Sequence, residues 1–262
     1  MTNPHTPPDP LPCRLDRTIL IQASRDEVFG FLTADDRWAS WWGAGSAIEP
    51  RPGGRVRICL PGGVEIGGEV LELAAPRLLV FTYGFVSGTP FPEGSSRVTI
   101  ALAEESSGAT RLRLSHAFAD AAARDEHVQG WRYQLSVLAN VAANAAHAGA
   151  GALVDDWFAA WSEPDAAARE ALLDRIATPG IRLRDRFSAI EGLDDLRPHL
   201  AAVHRFMPGM RLAREGAVRH CQGAVLADWV ARGADGQERG RGTSLFLLSP
   251  AARITEVTGF WA

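Results

Sequence analysis

From Ala121 to His147 the apolar residues Val128, Trp131, Leu135, Leu138 and Ala142 recur at spacings of three and four. That is the period of a helix burying one continuous face. So long an apolar face needs an equally long partner, and the residues before it supply one. Strand-like runs occur at Leu15–Gln22, Arg55–Leu60, Val64–Leu73, Arg77–Phe85, Ser96–Ala103 and Thr110–Phe118. Gly or Pro punctuates most of the joints, as expected of consecutive antiparallel hairpins. Ser24 and Glu27 fit a capping box, opening a helix to about Leu32 whose stripe is Val28, Phe29 and Leu32.

Between that helix and the second strand run lies an aromatic stretch, Asp35 to Ile58. Trp38, Trp41 and Trp42 fall on one face of a short helical turn. Gly43 and Gly45 follow, and then Pro50, Pro52 and the Gly53-Gly54 turn. Aromatic bulk beside a glycine hinge fits a lid over an apolar cavity; it fits a core plug equally well.

Ala148 to Ala152 (AGAGA) reads as a short flexible linker. The GxG within it lacks both the third glycine and the preceding strand of a dinucleotide fingerprint. A second pattern then begins. Leu153–Ser162, Asp165–Ile176 and Leu193–Phe206 have helical periods, and Ile181–Phe187 alternates like a strand. Strand candidates follow at Met210–Cys221, Ala224–Arg232, Arg241–Leu248 and Arg253–Trp261. Helices first and a meander of strands after is an α+β order. The expected division is a Pro-rich disordered tail at 1–14, a first domain at 15–147, the linker at 148–152 and a second domain at 153–262.

Composition removes several chemistries. All 27 basic residues are arginine, so no lysine serves a Schiff base, pyridoxal phosphate or a Walker-type phosphate loop. A net charge of -4 does not fit a nucleic-acid binder. The three cysteines lie far apart and read as reduced thiols. The N-terminus shows no signal-peptide pattern and no segment has the apolar length of a membrane span, so a cytoplasmic protein without membrane contact is expected. His199 and His204 are five residues apart, the wrong spacing for chelating one metal on a helix. No cofactor and no metal is expected.

Asp185 is the residue best suited to chemistry. Strand alternation places Ile181, Leu183, Asp185 and Phe187 on one face and Arg182, Arg184 and Arg186 on the other. With the arginines in water, the carboxylate faces an apolar interior that disfavours its charged form, as suits a general base. The alternative is an aspartate bonded to neighbouring backbone or to an arginine. His116 shares the inward row of Leu112, Leu114 and Phe118, either to contact a ligand or as a satisfied core histidine. The tryptophans Trp38, Trp41, Trp42, Trp131, Trp157, Trp161, Trp229 and Trp261 are candidate aromatic walls, with core packing as their other role.

Two resemblances cover the chain. ASRDEVFGFLT, RWASWWG, PRPGGRVRI, GGEVLELAAPRLLVFTY, TRLRLSH and HVQGWRYQLSVLANVA, spread over Leu15 to Ala146, resemble the SRPBCC superfamily (START and birch-pollen-allergen-like helix-grip proteins). The branch they resemble is the activator of heat-shock-protein-ATPase homologue type. This implies a curved antiparallel sheet around a long C-terminal helix, enclosing an apolar cavity. WFAAWSEPD, IRLRDRFSAIEGLDDLRPHLAAVHRFMPGMRL and RITEVTGFW, over Leu153 to Ala262, resemble the nuclear-transport-factor-two-like superfamily, SnoaL-like branch. This implies a cone-shaped α+β barrel with an apolar pocket.

The resemblance to the isomerases of that branch implies a role for Asp185, since an aspartate at the matching place takes a proton next to a carbonyl. The chain departs from them elsewhere. Trp157 stands about where they carry a tyrosine donor, and Ser244 about where they carry a protonated aspartate. The function implied is the binding of apolar small molecules, one cavity per domain, with cyclase, isomerase or lyase-like chemistry open in the second. The alternative is a chaperone cofactor or protein-interaction module, with the second domain mediating dimerisation. Leu78–Phe85 is apolar on both faces and needs a cover, which admits a homodimer.

Overall fold

A computed structural model describes residues 10–262; the first nine residues of the expected tail fall outside them. The strand alternation already holds at Cys13, so Cys13 and Arg14 belong to the first strand and not to the tail. The chain divides into two compact units, Met1–Ala142 and Ala143–Ala262.

The first unit opens with β1 (Cys13–Ile21), α1 (Arg25–Thr33), α2 (Asp35–Trp42), β2 (Ala47–Ile48) and β3 (Arg55–Leu60). It continues with β4 (Val64–Ala74), β5 (Leu78–Phe85), β6 (Ser96–Glu104), β7 (Thr110–Phe118) and the long helix α3 (Ala121–Ala146). The strands form one seven-stranded sheet in the order β1-β7-β6-β5-β4-β3-β2. Every neighbouring pair in it is antiparallel. The Ser24 hydroxyl accepts from the Glu27 backbone N–H at 3.3 Å, so the serine caps α1 as its spacing requires. Trp131, Leu135, Leu138 and Ala142 of the expected stripe are buried along α3, and Val128 is half-buried.

The second unit contains α4 (Ala150–Ser162), α5 (Ala166–Ile176), β8 (Ala177–Arg184), β9 (Ala189–Glu191) and α6 (Leu193–Phe206). A meander of β10 (Arg211–Cys221), β11 (Ala224–Arg232), β12 (Glu238–Leu248) and β13 (Ile254–Trp261) completes it. The sheet order is β10-β11-β12-β13-β8-β9, with β8 running parallel to β13. Phe246 is fully buried, with Trp157 and Phe158 of α4 set edge-on against it. The whole chain is of the α+β class, with two separate sheets.

Two local expectations need correction. The AGAGA segment is not a free linker over its length. His147 to Gly149 make a turn, and α4 begins at Ala150, whose N–H donates to the His147 carbonyl at 2.9 Å. Alanine is the best helix former, and Ala150 is buried at this first position of the helix. The strand expected at Ile181–Phe187 starts earlier and stops at Arg184. Asp185 turns the chain there, its carboxylate accepting from the Phe187 N–H at 2.7 Å. This is the local competition by which aspartate breaks a strand, and it leaves Phe187 69% exposed instead of inward.

Candidate ligand sites

In the first domain, α2 delivers its tryptophans into the sheet. Trp38 and Trp41 are buried, and their ring nitrogens donate to the carbonyls of Arg57 (3.3 Å) and Phe31 (2.9 Å). Their rings meet edge-on at 5.2 Å. Both are core plugs. At Gly43, whose φ is +138°, a Cβ would lie within van der Waals overlap of the Cys59 carbonyl oxygen. Trp42 packs on Trp41 at 4.4 Å and also meets Trp131 of α3 at 5.4 Å.

Trp42 and Trp131 form one wall of a cavity of about 390 Å³, with Tyr83, His127 and Gln134 among the other linings. His127 donates from Nδ1 to the Ala123 carbonyl at 2.7 Å, which leaves Nε2 as an acceptor. Burial holds this imidazole below its ordinary range despite that hydrogen bond. Burial likewise pushes the Tyr83 phenol up.

His116 does not reach this cavity. It is fully buried and accepts at Nδ1 from the Trp131 indole N–H at 2.9 Å. Its Nε2 therefore carries the hydrogen, which goes to the Ser96 hydroxyl at 2.8 Å. Ser96 in turn donates to the Tyr83 carbonyl at 2.7 Å. Burial, and secondarily the nearby His127, hold the ring well below its ordinary value. It is a satisfied core histidine, because both of its nitrogens have partners inside the fold.

The second domain encloses a larger pocket of about 890 Å³. Leu212, Met210, Val203 and Ala231 make its lining largely apolar, and Trp161 and Trp261 supply aromatic faces. Asp185 stands on its wall at the end of β8. One carboxylate oxygen holds the turn at Phe187; the other accepts from the Trp261 indole N–H at 3.4 Å. His199 of α6 faces the same space, its Nε2 3.3 Å from the Ser188 hydroxyl. Arg239, also in the lining, is paired with Asp235 at 2.6 Å.

The remaining candidates of this domain sit elsewhere. Trp157 is buried behind the lining against Phe246. Trp229 and Ser244 are buried and satisfy each other, the indole donating to the hydroxyl at 3.1 Å. The structure thus brings Asp185 and Trp161 together, and Trp42 with Trp131, while the other candidates are core. Sequence reasoning missed Tyr83, His127 and Gln134 in the first cavity and a lining role for His199 in the second, where Trp261 also stands in the wall. A signal existed for two of them: His127, Trp131 and Gln134 follow one another at four and three residues on one helix face. Among the described residues no group of three His, Cys, Asp or Glu side chains could hold a metal ion, and no single helix is long and apolar enough to cross a membrane.

Each of the two domains is an antiparallel-dominated sheet with helices, and the chain is of the α+β class. Residues 22–143 match the family model described as Activator of Hsp90 ATPase homolog 1-like protein. No curated protein matches the chain. Solved structures do. A putative isomerase of the SnoaL-like family from Agrobacterium tumefaciens is 24% identical, covering 45% of this chain and 98% of its own, with a TM-score of 0.42. CalU16 from Micromonospora echinospora is 27% identical, covering 48% and 73%, with a TM-score of 0.39. The Aha1 dimer from Colwellia psychrerythraea is 17% identical, covering 47% and 90%, with a TM-score of 0.41.

Proposed function

We propose that the chain binds apolar small molecules, one in each domain, and that the larger pocket holds a flat ring compound carrying a carbonyl. The observation that carries this reading is Asp185 on the wall of an otherwise mainly apolar space of about 890 Å³. That volume lies within the ordinary range of small-molecule sites, which are apolar with a few placed polar groups. The SnoaL-like resemblance of the second half supports it.

Asp185 accepts from two neutral donors and makes no ion pair among the described residues. Its oxygens keep lone pairs for a bound molecule. In this reading a carboxylate oxygen takes a proton from the carbon next to the ligand carbonyl, and the electron pair moves onto the carbonyl oxygen as an enolate. Ser188 and His199, in the same lining, are the polar groups that would face that oxygen. Trp157 and Ser244, which stand where isomerases carry their donors, already have partners in the core. The reading therefore assigns proton abstraction to Asp185 and no complete isomerase machinery.

The test is hydrogen–deuterium exchange at the α-carbon of bound aromatic ketones in D2O. Exchange that is accelerated by the parent and lost in Asp185→Asn, with affinity kept, supports a base at this position. Equal exchange in both leaves Asp185 as a turn residue. The chaperone-cofactor alternative draws on the family resemblance and not on a site. A homodimer is a second reading with an observation behind it: Phe187, Met207 and Phe206 stand exposed on the second domain, and sedimentation across a concentration series would separate it from a monomer.

A further inference from the structure

Two polar atoms in the first-domain cavity wall lack a partner. The Trp42 indole N–H is buried without an acceptor, and the Gln134 carboxamide oxygen is buried without a donor. Both residues line the cavity, and each is more than nine-tenths buried. An orphaned buried donor or acceptor costs about 1–3 kcal/mol; eight side-chain atoms among the described residues are of this kind, and Gln134 Oε1 is the one acceptor oxygen among them, in the same lining as the Trp42 donor.

The neighbouring groups show that the wall can satisfy its polar atoms. Trp38, Trp41 and Trp131 all have acceptors for their ring N–H. Trp42 alone of this cluster is left open, and it lines the space. Also in the lining, α3 carries glycine at position 130 in the middle of the helix. A Cβ there would meet nothing within 4 Å, although glycine costs a helix about 1 kcal/mol relative to alanine. No arginine, aspartate or glutamate is in the lining, so a charged ligand would be desolvated without a counter-charge.

On the reading that the first domain holds a small molecule, we propose that its ligand is a neutral ring compound bearing a hydrogen-bond acceptor beside an N–H or O–H donor. The acceptor, a carbonyl oxygen for instance, meets the Trp42 N–H. The donor meets Gln134 Oε1. A carboxamide or a hydroxy-ketone on a one- or two-ring body has that chemistry, and a carboxylate does not.

The experiment uses the full chain and three probes: 2-naphthamide, 2-ethylnaphthalene and 2-naphthoate. The readout is the Trp42 indole signal in ¹H–¹⁵N NMR, assigned by its loss in Trp42→Phe. The amide should move that signal downfield and bind roughly tenfold tighter than the ethyl compound at this site, as one net hydrogen bond would give. The naphthoate should bind more weakly than either. Gln134→Leu should remove most of that preference, and Gly130→Leu should block all three by filling the open space. Should Gln134→Leu fail to fold, Trp42→Phe keeps an aromatic ring and removes the donor; followed through the indole signal of Trp131 in the same lining, it should narrow the preference in the same way. Equal affinity of amide and ethyl compound, or a Trp42 signal unmoved at saturation, overturns the ligand class while leaving the cavity as a binding site. A first cavity that takes none of the probes overturns both.

Discussion

The indole of Trp131 donates to Nδ1 of His116 across 2.9 Å in the centre of the first domain. One bond thereby ties the long helix to β7 and fixes the imidazole as the Nε2–H tautomer. Protonating Nδ1 would break it.

The pH dependence follows from that arrangement. His116 keeps its proton affinity low in the fold, with burial as the first cause and His127 as the second, whereas in the unfolded chain it titrates near the ordinary 6.5. Below that value the unfolded chain takes up protons that the folded ring refuses. Stability is therefore full above about pH 6.5 and falls as pH drops, by at most about 1.4 kcal/mol per unit for such a group. Burial lowers His127 and His147 too, so they add in the same direction. Urea midpoints should decline from pH 7 to pH 5, and the decline should be shallower in His116→Gln.

Ser96→Ala isolates the other side of the same network. It removes the acceptor of the buried His116 Nε2–H, which should cost about 1–3 kcal/mol. Thermal or urea unfolding of the variant at pH 7.5, where the histidine charge plays no part, checks this. A cost near zero would mean that the ring finds another acceptor.

Gly43→Val tests how tightly the turn after α2 is held against β3. A β-branched residue at φ +138°, with its Cβ set against the Cys59 carbonyl, should destabilise the fold by roughly 2–4 kcal/mol. A variant as stable as the parent would mean that the backbone at Cys59 gives way to the new side chain.

In the second domain Phe246 is the ring on which Trp157 and Phe158 converge. Phe246→Ala should cost about 3–5 kcal/mol in unfolding free energy, as a buried aromatic cavity does. Since Phe246 does not line the pocket, a folded variant should bind ligands with little change.

The elements of this chain were legible where period and length were sufficient. Helix α3 and strands β3 to β7 lie within a residue or two of their sequence bounds, because each buries a stripe that its own period announces. β2 and β9, of two and three residues, are too short to show a period and exist through pairing alone. Asp185 illustrates the limit on sites. The alternation of Ile181 and Leu183 was real, and both are buried, but it could not show that the carboxylate would capture the Phe187 N–H and end the strand. His116 faced inward as the row required, yet its partners Trp131 and Ser96 come from elements 15 and 20 residues away. Which tryptophans were wall and which were core depended in the same way on tertiary packing. Trp42 and Trp38 share a helix face in the sequence, and only the fold sends one to a cavity.

The central claim is that the larger pocket takes a flat apolar molecule, and the indole N–H signals of Trp161 and Trp261 report on it most directly. They should be followed in ¹H–¹⁵N NMR of the full chain during titration with neutral two- to four-ring aromatic ketones. The account predicts saturable shifts of both signals with at least one such compound, and their loss in Val203→Trp, which fills the pocket from α6. Signals unmoved by every ketone up to its solubility limit, or shifts that survive in a folded Val203→Trp, would contradict it.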